Sequence, residues 1–236
     1  MRNMANIFWK EFKAYFSSPV AYIFIISFLV VTNWLFFRTF FLTNQASLRA
    51  YFSFLPWVFL FLAPAITMRS WAEEKKLGTA EILMTLPIKD YEIVLGKFFS
   101  SFVFLVLTLC LTFPLPITVM MLGNPDPGPI WGGYVGAFLL GGAYLAIGLF
   151  ASSLTENQII AFIVSIMICF MLLIVGEDFV ILNMPNQLVP ILSYLGLGAH
   201  FQSIGRGVID SRDIIYYLSV TGFFLFLNQL SVESRR

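Results

Sequence analysis

Residues 130–154 read IWGGYVGAFLLGGAYLAIGLFASSL, a run of 25 residues without a charged side chain. The hydrocarbon core of a bilayer is about 30 Å thick, so a helix that rises about 1.5 Å per residue needs about 20 apolar residues to cross it. A helix also satisfies its own backbone hydrogen bonds, which lipid requires because no water is present to do so. The sequence therefore predicts a transmembrane helix here.

The whole chain has the same apolar character. Of its 236 residues, 59% are hydrophobic and only 11% are charged, whereas soluble domains carry about 25% charged residues. The net charge of +1 gives no indication of a nucleic-acid partner, and lipid is expected to surround the protein. Five further segments approach or reach the length of a span: 20–37, 51–68, 98–122, 159–175 and 214–232. The predicted fold class is an all-α integral membrane protein with six transmembrane helices and a single domain over 1–236.

The basic residues indicate an orientation. Ten of the fourteen lysines and arginines share one side if the segment before the first span, the loop 69–97 and the tail after the last span are placed together. The positive-inside rule assigns that side to the cytoplasm. Both termini are then cytoplasmic, as six spans require.

The segment 1–18 predicts an amphipathic helix. Its apolar residues recur at helical spacing, and Lys10 and Lys13 take the opposite arc. The apolar set is Met4, Phe8, Phe12, Tyr15 and Phe16. We expect this interfacial connecting helix to lie along the cytoplasmic leaflet. Glu11 falls on the apolar face, so either it extends to the headgroups or it pairs with a basic residue of another element.

The segment 183–213 is too apolar for a plain linker and is interrupted by prolines and glycines. It predicts an external re-entrant helical segment that covers the outer mouth. Asp213 is the expected N-cap of the last span and Asp90 that of the third. Glu177 and Asp178 are interpreted as an acidic pair at the outer interface, solvated or capping. His200, the only histidine, is interpreted as an interfacial polar group.

Small residues and prolines within the spans bear on helix packing. Gly132 with Gly136, and Gly142 with Ala146, have the small-xxx-small spacing that lets helices approach closely, within one chain or between two. Proline pairs in the second and third spans predict kinks, which are hinges or static bends.

The chain lacks the motifs of known catalytic sites. It has no HExxH, no GxSxG, no metal-ligand cluster of recognisable spacing and no Walker A loop. We therefore expect no enzyme activity, cofactor or metal in this chain. Ionisable residues are nearly absent from the spans, which disfavours the alternative of a stand-alone secondary transporter or channel, because such proteins usually need buried ion-binding groups.

The loop 69–97 reads RSWAEEKKLGTAEILMTLPIKDYEIVLGK. Glu73 and Glu74 are expected to face water on an extension of the second span, and Gly78 suits a left-handed C-terminal turn. Thr79 is the expected N-cap of a second, short helix over 80–86. That helix would expose apolar residues outside the bilayer: Ile82, Leu83 and Leu86. Such a surface either folds back onto the membrane or, as we favour, docks into another protein.

This loop resembles the coupling helix of ABC-2 type (type V exporter-like) permeases, in which an acidic pair, Gly-Thr, an acidic residue and an apolar run follow one another. The resemblance rests on RSWAEEKKLGTAEILMTLP from Arg69 and extends to three further segments. KEFKAYFSSPVAY from Lys10 is similar to the connecting helix, SSLTENQIIAF from Ser152 to the turn between spans four and five, and 195–217 to the external re-entrant segment. The likeness is closest to the small permeases associated with gliding motility.

The resemblance implies a permease subunit of the bacterial inner membrane. Two permease chains, identical or related, would form an export pathway as a dimer. Each would contact a separate cytoplasmic ABC ATPase subunit, which binds ATP and Mg, so that this chain holds no cofactor. The implied ATPase-coupling residues are Glu73, Glu74, Leu77, Gly78, Thr79, Glu81, Leu83 and Met84, braced by Lys10 and Glu11 of the connecting helix.

Overall fold

The structure is a computed structural model that describes residues 2–43, 45–85, 87–182, 185, 187–208 and 210–234. Within these ranges all regular secondary structure is helical, which confirms the all-α prediction. The helices are α1 Arg2–Ser17, α2 Pro19–Thr43, α3 Arg49–Thr67, α4 Arg69–Lys76, α5 Thr79–Thr85, α6 Asp90–Cys110, α7 Pro114–Leu122, α8 Pro127–Leu154, α9 Gln158–Ile174, α10 Asp178–Ile181, α11 Val189–Leu195, α12 Leu197–Gly205 and α13 Ser211–Glu233.

Five helical stretches in the described ranges are long and apolar enough to cross a membrane: Pro19–Leu42, Arg49–Lys76, Asp90–Leu122, Pro127–Leu154 and Ser211–Glu233. Each of them contains one of the predicted spans. The remaining predicted span forms α9, which is apolar but only 17 residues long. Six crossings therefore remain a prediction.

Proline has different effects in the second and third stretches. Pro56 and Pro64 lie inside α3, which stays helical through both. The third stretch is interrupted by three turn residues, 111–113, and α7 begins at Pro114. A proline at the first helical position has no intrahelical hydrogen bond to lose, so the interruption lies just before it.

Helix α8 forms the centre of the bundle. Its apolar stretch is 78% buried, compared with 28% for α2 and 17% for α13. It packs against α3, α6, α9, α12 and α13. A Cβ on Gly132 would lie 2.5 Å from the carbonyl oxygen of Ile204, and one on Gly136 would lie 3.2 Å from the Phe201 ring. The small residues of α8 therefore pack against α12 within one chain.

Helix α1 occupies most of the segment predicted to be amphipathic, and part of its apolar arc rests on α6. Ile7 is buried against Gly96, where a Cβ would lie 2.9 Å from Ile7 Cγ2. The Tyr15 ring stacks on Phe104 with the ring centroids 5.0 Å apart. Helix α1 is thus fixed to protein over part of its surface, which limits how freely it can move.

Both predicted aspartate caps are wrong. Helix α6 begins at Asp90 itself, with Lys89 in the N-cap position. The N-cap of α13 is Asp210, whose Oδ1 accepts a hydrogen bond from the backbone N–H of Arg212 at 2.9 Å. Asp213 lies in the first turn of α13 and is buried. Its carboxylate is therefore available for a tertiary contact.

The segment predicted to be external contains α11 and α12, which differ in burial. Helix α12 packs against α8, α9, α13 and α3 and buries five of its nine residues, whereas α11 buries none. Asn183, Met184, Asn186 and Ile209 of the predicted segment 183–213 lie outside the described residues. Entry of this segment into the membrane stays a prediction.

The contact between α8 and α12 predicts the effect of adding one methyl group. Gly132→Ala should destabilise the protein by about 1–3 kcal/mol because the new Cβ meets the Ile204 backbone, which cannot rotate away. Gly222→Ala on α13 is the control, since no atom lies within 4 Å of that Cβ. Thermal unfolding in detergent measures both variants, and an equal midpoint for the two would contradict the packing described.

Candidate functional site at the junction of α1, α4 and α6

The predicted loop architecture is present. Gly78 has φ of 71°, and its N–H donates to the carbonyl oxygen of Lys75 at 3.0 Å, so α4 ends in the expected left-handed turn. Helix α5 begins at Thr79, which is therefore its first residue rather than its N-cap. The Thr79 hydroxyl donates to the carbonyl oxygen of Glu74 at 3.2 Å. This bond closes the turn between the two helices.

A buried lysine, Lys97 of α6, occupies the centre of the site. Its side chain is only 1% exposed, and its Nζ lies 2.8 Å from Glu74 Oε2 and 3.0 Å from Glu11 Oε1. Nζ also donates to the carbonyl oxygen of Ser70 at 2.8 Å and lies 4.8 Å from the centre of the Trp71 ring. A buried ammonium requires such partners, because desolvation is costly for a charge that is not compensated.

Lys10 of α1 completes the cluster from the exposed side. Its Nζ lies 3.0 Å from Glu74 Oε1 and 3.5 Å from Glu11 Oε1. Partial burial by itself would lower the pKa of Lys10, but the hydrogen bond and charge of Glu74 and the nearby charge of Glu11 outweigh this effect and raise it. Lys10, Glu11, Glu74 and Lys97 thus form one network, called the charged cluster below.

The geometry of the charged cluster tests the predictions made from the sequence for Glu11 and Glu74. Of the two alternatives for Glu11, pairing with a basic residue of another element is the one observed. The expectation that Glu74 faces water is wrong, because its side chain is only 16% exposed and lies between two lysines. Because α4 follows α3 after Met68 alone, its position on the bundle directs Glu74 toward α1 and α6.

A second set of hydrogen bonds joins α4 to the end of α8. Ser152 Oγ accepts from the backbone N–H groups of Trp71 and Ala72, each at 3.1 Å, and donates to the carbonyl oxygen of Met68 at 2.9 Å. Lys75 Nζ donates to the carbonyl oxygen of Ser153. The first N–H groups of a helix lack intrahelical acceptors, so Ser152 serves as their partner from another helix. Helix α4 is therefore held by α1, α6 and α8 together.

The remaining loop residues lie toward the surface. Arg69 Nε and Nη2 donate to the two carboxylate oxygens of Glu73 at 2.8 and 3.0 Å, a half-exposed pair on α4 that contributes little stability. Glu81 is exposed in the first turn of α5. This part of the site is solvated, in contrast to the charged cluster.

The apolar residues of the loop divide into two groups. Leu77 and Ile82 are 68% and 64% exposed, which confirms an exposed apolar surface. Leu83 was expected to be exposed too, but it is half-buried and packs against the core. The side chain of Met84, and Leu86, lie outside the described residues.

Sequence reasoning missed Lys97 and Ser152. From the sequence, Lys97 was interpreted only as one of the basic residues that orient the chain in the membrane, and Ser152 only as part of a turn motif. One indication of Lys97 was present, since Glu11 on an apolar helix face needs a cation nearby. Nothing in the sequence identifies which of the basic residues supplies it.

The structure also corrects the interpretation of His200. His200 is buried, with Nδ1 2.7 Å from Asp213 Oδ1, so it is not merely an interfacial polar group. Among the described residues, no group of three or more metal-binding side chains is close enough to hold an ion.

Comparison with known families defines the class of protein. The sequence profile of the family described as "ABC-2 family transporter protein" matches residues 29–227, which is most of the chain. The chain therefore belongs to the ABC-2 family of transporter proteins, and it is a multi-pass membrane permease. Members of this family are generally non-catalytic membrane components that work with a cytoplasmic ATPase. A comparison with curated proteins found none that matches the chain.

The charged cluster predicts a strong effect of neutralising its central residue. Lys97→Met should lower the free energy of unfolding by about 3–5 kcal/mol, because Glu11 and Glu74 then lack their buried counter-charge. Chemical unfolding in detergent measures the loss. Lys13→Met, on the exposed arc of α1, is the control and should change stability by less than about 0.5 kcal/mol.

A triple variant tests the cause of that loss. Adding Glu11→Gln and Glu74→Gln to Lys97→Met removes the uncompensated charges, so it should restore much of the lost stability. If the triple variant is less stable than Lys97→Met, the lysine acts through packing rather than through charge.

Proposed function

We propose that this chain is the permease subunit of an ABC exporter whose ATPase is a separate cytoplasmic chain, with ATP and Mg bound there. In this proposal α4, Leu77, Gly78 and α5 form a coupling unit that receives the motion of the ATPase. The observation that carries the proposal is an exposed apolar surface formed by Leu77, at the end of α4, and Ile82, on α5, where α4 is itself bonded to α1, α6 and α8.

The apolar surface supports docking to a partner protein. Leu77 and Ile82 expose apolar area beside the charged residues Glu73 and Glu81, and interfaces commonly combine an apolar centre with a polar rim. Leu83 packs against the core and so holds α5 in place relative to the bundle. In our proposal Met84 extends the same contact surface, and Gly78 sets the angle between α4 and α5.

The charged cluster supports transmission of force. Sliding α4 along α6 would separate Glu74 from Lys97, whose side chain is only 1% exposed, and leaving such a buried charge unpaired costs on the order of 3–5 kcal/mol. When α5 is displaced, α1, α4 and α6 should therefore move together as one rigid unit. Lys10 and Glu11 have the bracing role implied by the resemblance to the family.

The same displacement reaches the spans. Only Met68 separates α4 from α3, and Ser152 ties the first turn of α4 to the end of α8. In our proposal the second and fourth spans therefore follow the coupling unit, and this movement opens and closes the export pathway.

We further propose six spans, with α9 as the fifth, and both termini in the cytoplasm of a bacterial inner membrane. The asymmetry of basic residues supports this orientation. The large exposed fractions of α2 and α13 leave surface for lipid and for a second permease chain, identical or related, in a dimer. The same proposal includes a relationship to the small permeases associated with gliding motility.

The docking surface is tested by placing charge on it. The double variant Leu77→Asp with Ile82→Asp should weaken binding of the partner ATPase at least about tenfold, since hot-spot residues commonly contribute about 2 kcal/mol or more. Because both side chains are exposed, the thermal stability of the permease should stay unchanged. Co-purification and ATPase-coupled transport measure the effect.

Lys13→Asp on α1 is the matched control, since it introduces a carboxylate at another exposed position and should leave ATPase binding intact. If the double variant still binds the ATPase and transport stays coupled, the coupling unit is misassigned. Transport that continues without any ATPase and follows an ion gradient would favour the alternative, a stand-alone secondary transporter or channel.

The number of crossings is tested with single cysteines in a background where Cys110 and Cys169 are replaced by alanine. Lys13→Cys and Ser234→Cys should react with an impermeant thiol reagent only from the cytoplasmic side, and Asp126→Cys and Val208→Cys only from outside. If α9 did not cross the membrane, Ser234→Cys would be labelled from the side opposite to Lys13→Cys.

A further inference from the structure

A buried polar cluster at the outer end of the bundle joins α11, α12 and α13. His200 of α12 is 8% exposed, and its ring stacks on Tyr216 of α13 with the ring centroids 4.0 Å apart. Asp213 of α13 is 5% exposed. The proposed coupling to an ATPase does not use this cluster.

Both ring nitrogens of His200 face hydrogen-bond acceptors. Nε2 lies 2.9 Å from the backbone carbonyl oxygen of Tyr194, and a carbonyl oxygen only accepts, so Nε2 carries a hydrogen. Nδ1 lies 2.7 Å from Asp213 Oδ1, and an ionised carboxylate also only accepts. The arrangement therefore holds one proton more than a neutral imidazole beside a carboxylate. An imidazole is a stronger base than a carboxylate, so an imidazolium beside an ionised Asp213 is the form that fits this geometry.

We propose that the His200–Asp213 pair is a proton-dependent latch that holds the external helical segment, residues 194–205, against α13. The step is a simple protonation of the imidazole: with the proton bound, both ring nitrogens carry a hydrogen, and the proton returns to water when the latch opens. No other group is transferred.

Two further bonds define what the latch holds. The hydroxyl of Tyr216 donates to the carbonyl oxygen of Leu195, and that of Tyr217 donates to the carbonyl oxygen of Leu197 at 2.7 Å. The first two turns of α13 thus bond to the segment at Leu195, Leu197 and His200. The His200–Asp213 contact is the one charged link in this set.

Loss of the proton would leave one ring nitrogen with a lone pair that faces an acceptor. That acceptor is Asp213 Oδ1 if Nδ1 loses the proton and the Tyr194 carbonyl oxygen if Nε2 loses it, and in either case the ring no longer carries the positive charge that compensates the carboxylate. Asp213 Oδ2 is buried and has no hydrogen-bond partner in the described part of the chain, so the carboxylate depends on His200 for compensation. The segment should then separate from α13 to let water reach the carboxylate.

The other titratable groups nearby do not replace the imidazolium. Within the described ranges, the ion pair of His200 is formed with Asp213. Tyrosines titrate near pH 10 in water, well above the histidine range, at about 6.5. Titratable or charged residues on the elements around the latch are Arg49 and Tyr51 of α3, Tyr134 and Tyr144 of α8, Cys169 of α9, Glu177 between α9 and α10, Tyr194 of α11, Arg206 after α12, and Asp210, Arg212, Tyr216 and Tyr217 at the start of α13.

The chain offers an unambiguous probe, because His200 is its only histidine. The full-length protein is labelled with ¹⁵N-histidine, purified with an affinity tag that contains no histidine, and reconstituted in lipid nanodiscs. We expect both ring nitrogens to show the chemical shifts of protonated nitrogens at pH 7. Asp213→Asn should produce one unprotonated nitrogen, and Asp210→Asn, the same substitution three residues earlier in the N-cap position, should leave the ring doubly protonated.

Hydrogen exchange of residues 194–205 tests the latch itself. Asp213→Asn should accelerate exchange of this segment at least about tenfold at pH 7, whereas exchange in α8 should not change, because only the outer segment opens. In the wild type, exchange corrected for its intrinsic pH dependence should accelerate over the pH interval in which the ¹⁵N shifts report loss of the proton.

Three results would overturn the proposal: a neutral His200 ring in the wild type at pH 7, unchanged exchange in Asp213→Asn, or acceleration over a different pH interval from ring deprotonation. None of these readouts involves the ATPase. The latch and the proposed coupling function therefore fail or succeed independently.

Discussion

The structure depends on one buried ammonium group, that of Lys97. A lysine with 1% exposure is stable only with counter-charges at contact distance, and these come from Glu11 on α1 and Glu74 on α4. The requirement therefore fixes the positions of three helices relative to one another. The same requirement explains why an acidic residue lies on the apolar face of α1. It also explains why the segment leaving the second candidate span lies against the bundle instead of extending into water.

Close packing around α8 supplies the second constraint. Small residues let α3, α6 and α12 approach its backbone, and Ser152 at its end accepts the free N–H groups of α4. The charged cluster holds α4 through the Glu74 side chain, and Ser152 holds it through the backbone N–H groups of Trp71 and Ala72. A helix held in this way moves only together with its neighbours, which is the property that a subunit driven from outside its own chain requires.

Much of the fold was predictable because lipid imposes simple rules on sequence. Apolar runs of sufficient length located five candidate spans and α9, and helical periodicity located α1. Gly78 was predictable because a left-handed turn favours glycine. The caps were not predictable at single-residue precision, since Asp90, Asp210 and Asp213 have the same local chemistry, and tertiary contacts decide which one caps a helix.

The sequence by itself determined that this chain spans a membrane, that it is helical, and that its main loop is a short helix after a glycine turn. These properties follow from local composition and periodicity, which act within a few residues. Only the tertiary structure decided that Glu74 is paired rather than hydrated, that Leu83 is packed while Ile82 is exposed, and that His200 meets Asp213. Each of these depends on residues brought together from distant parts of the chain. A charged or polar side chain has the same sequence pattern whether its partner is water or a residue on another helix, so local patterns alone do not identify that partner.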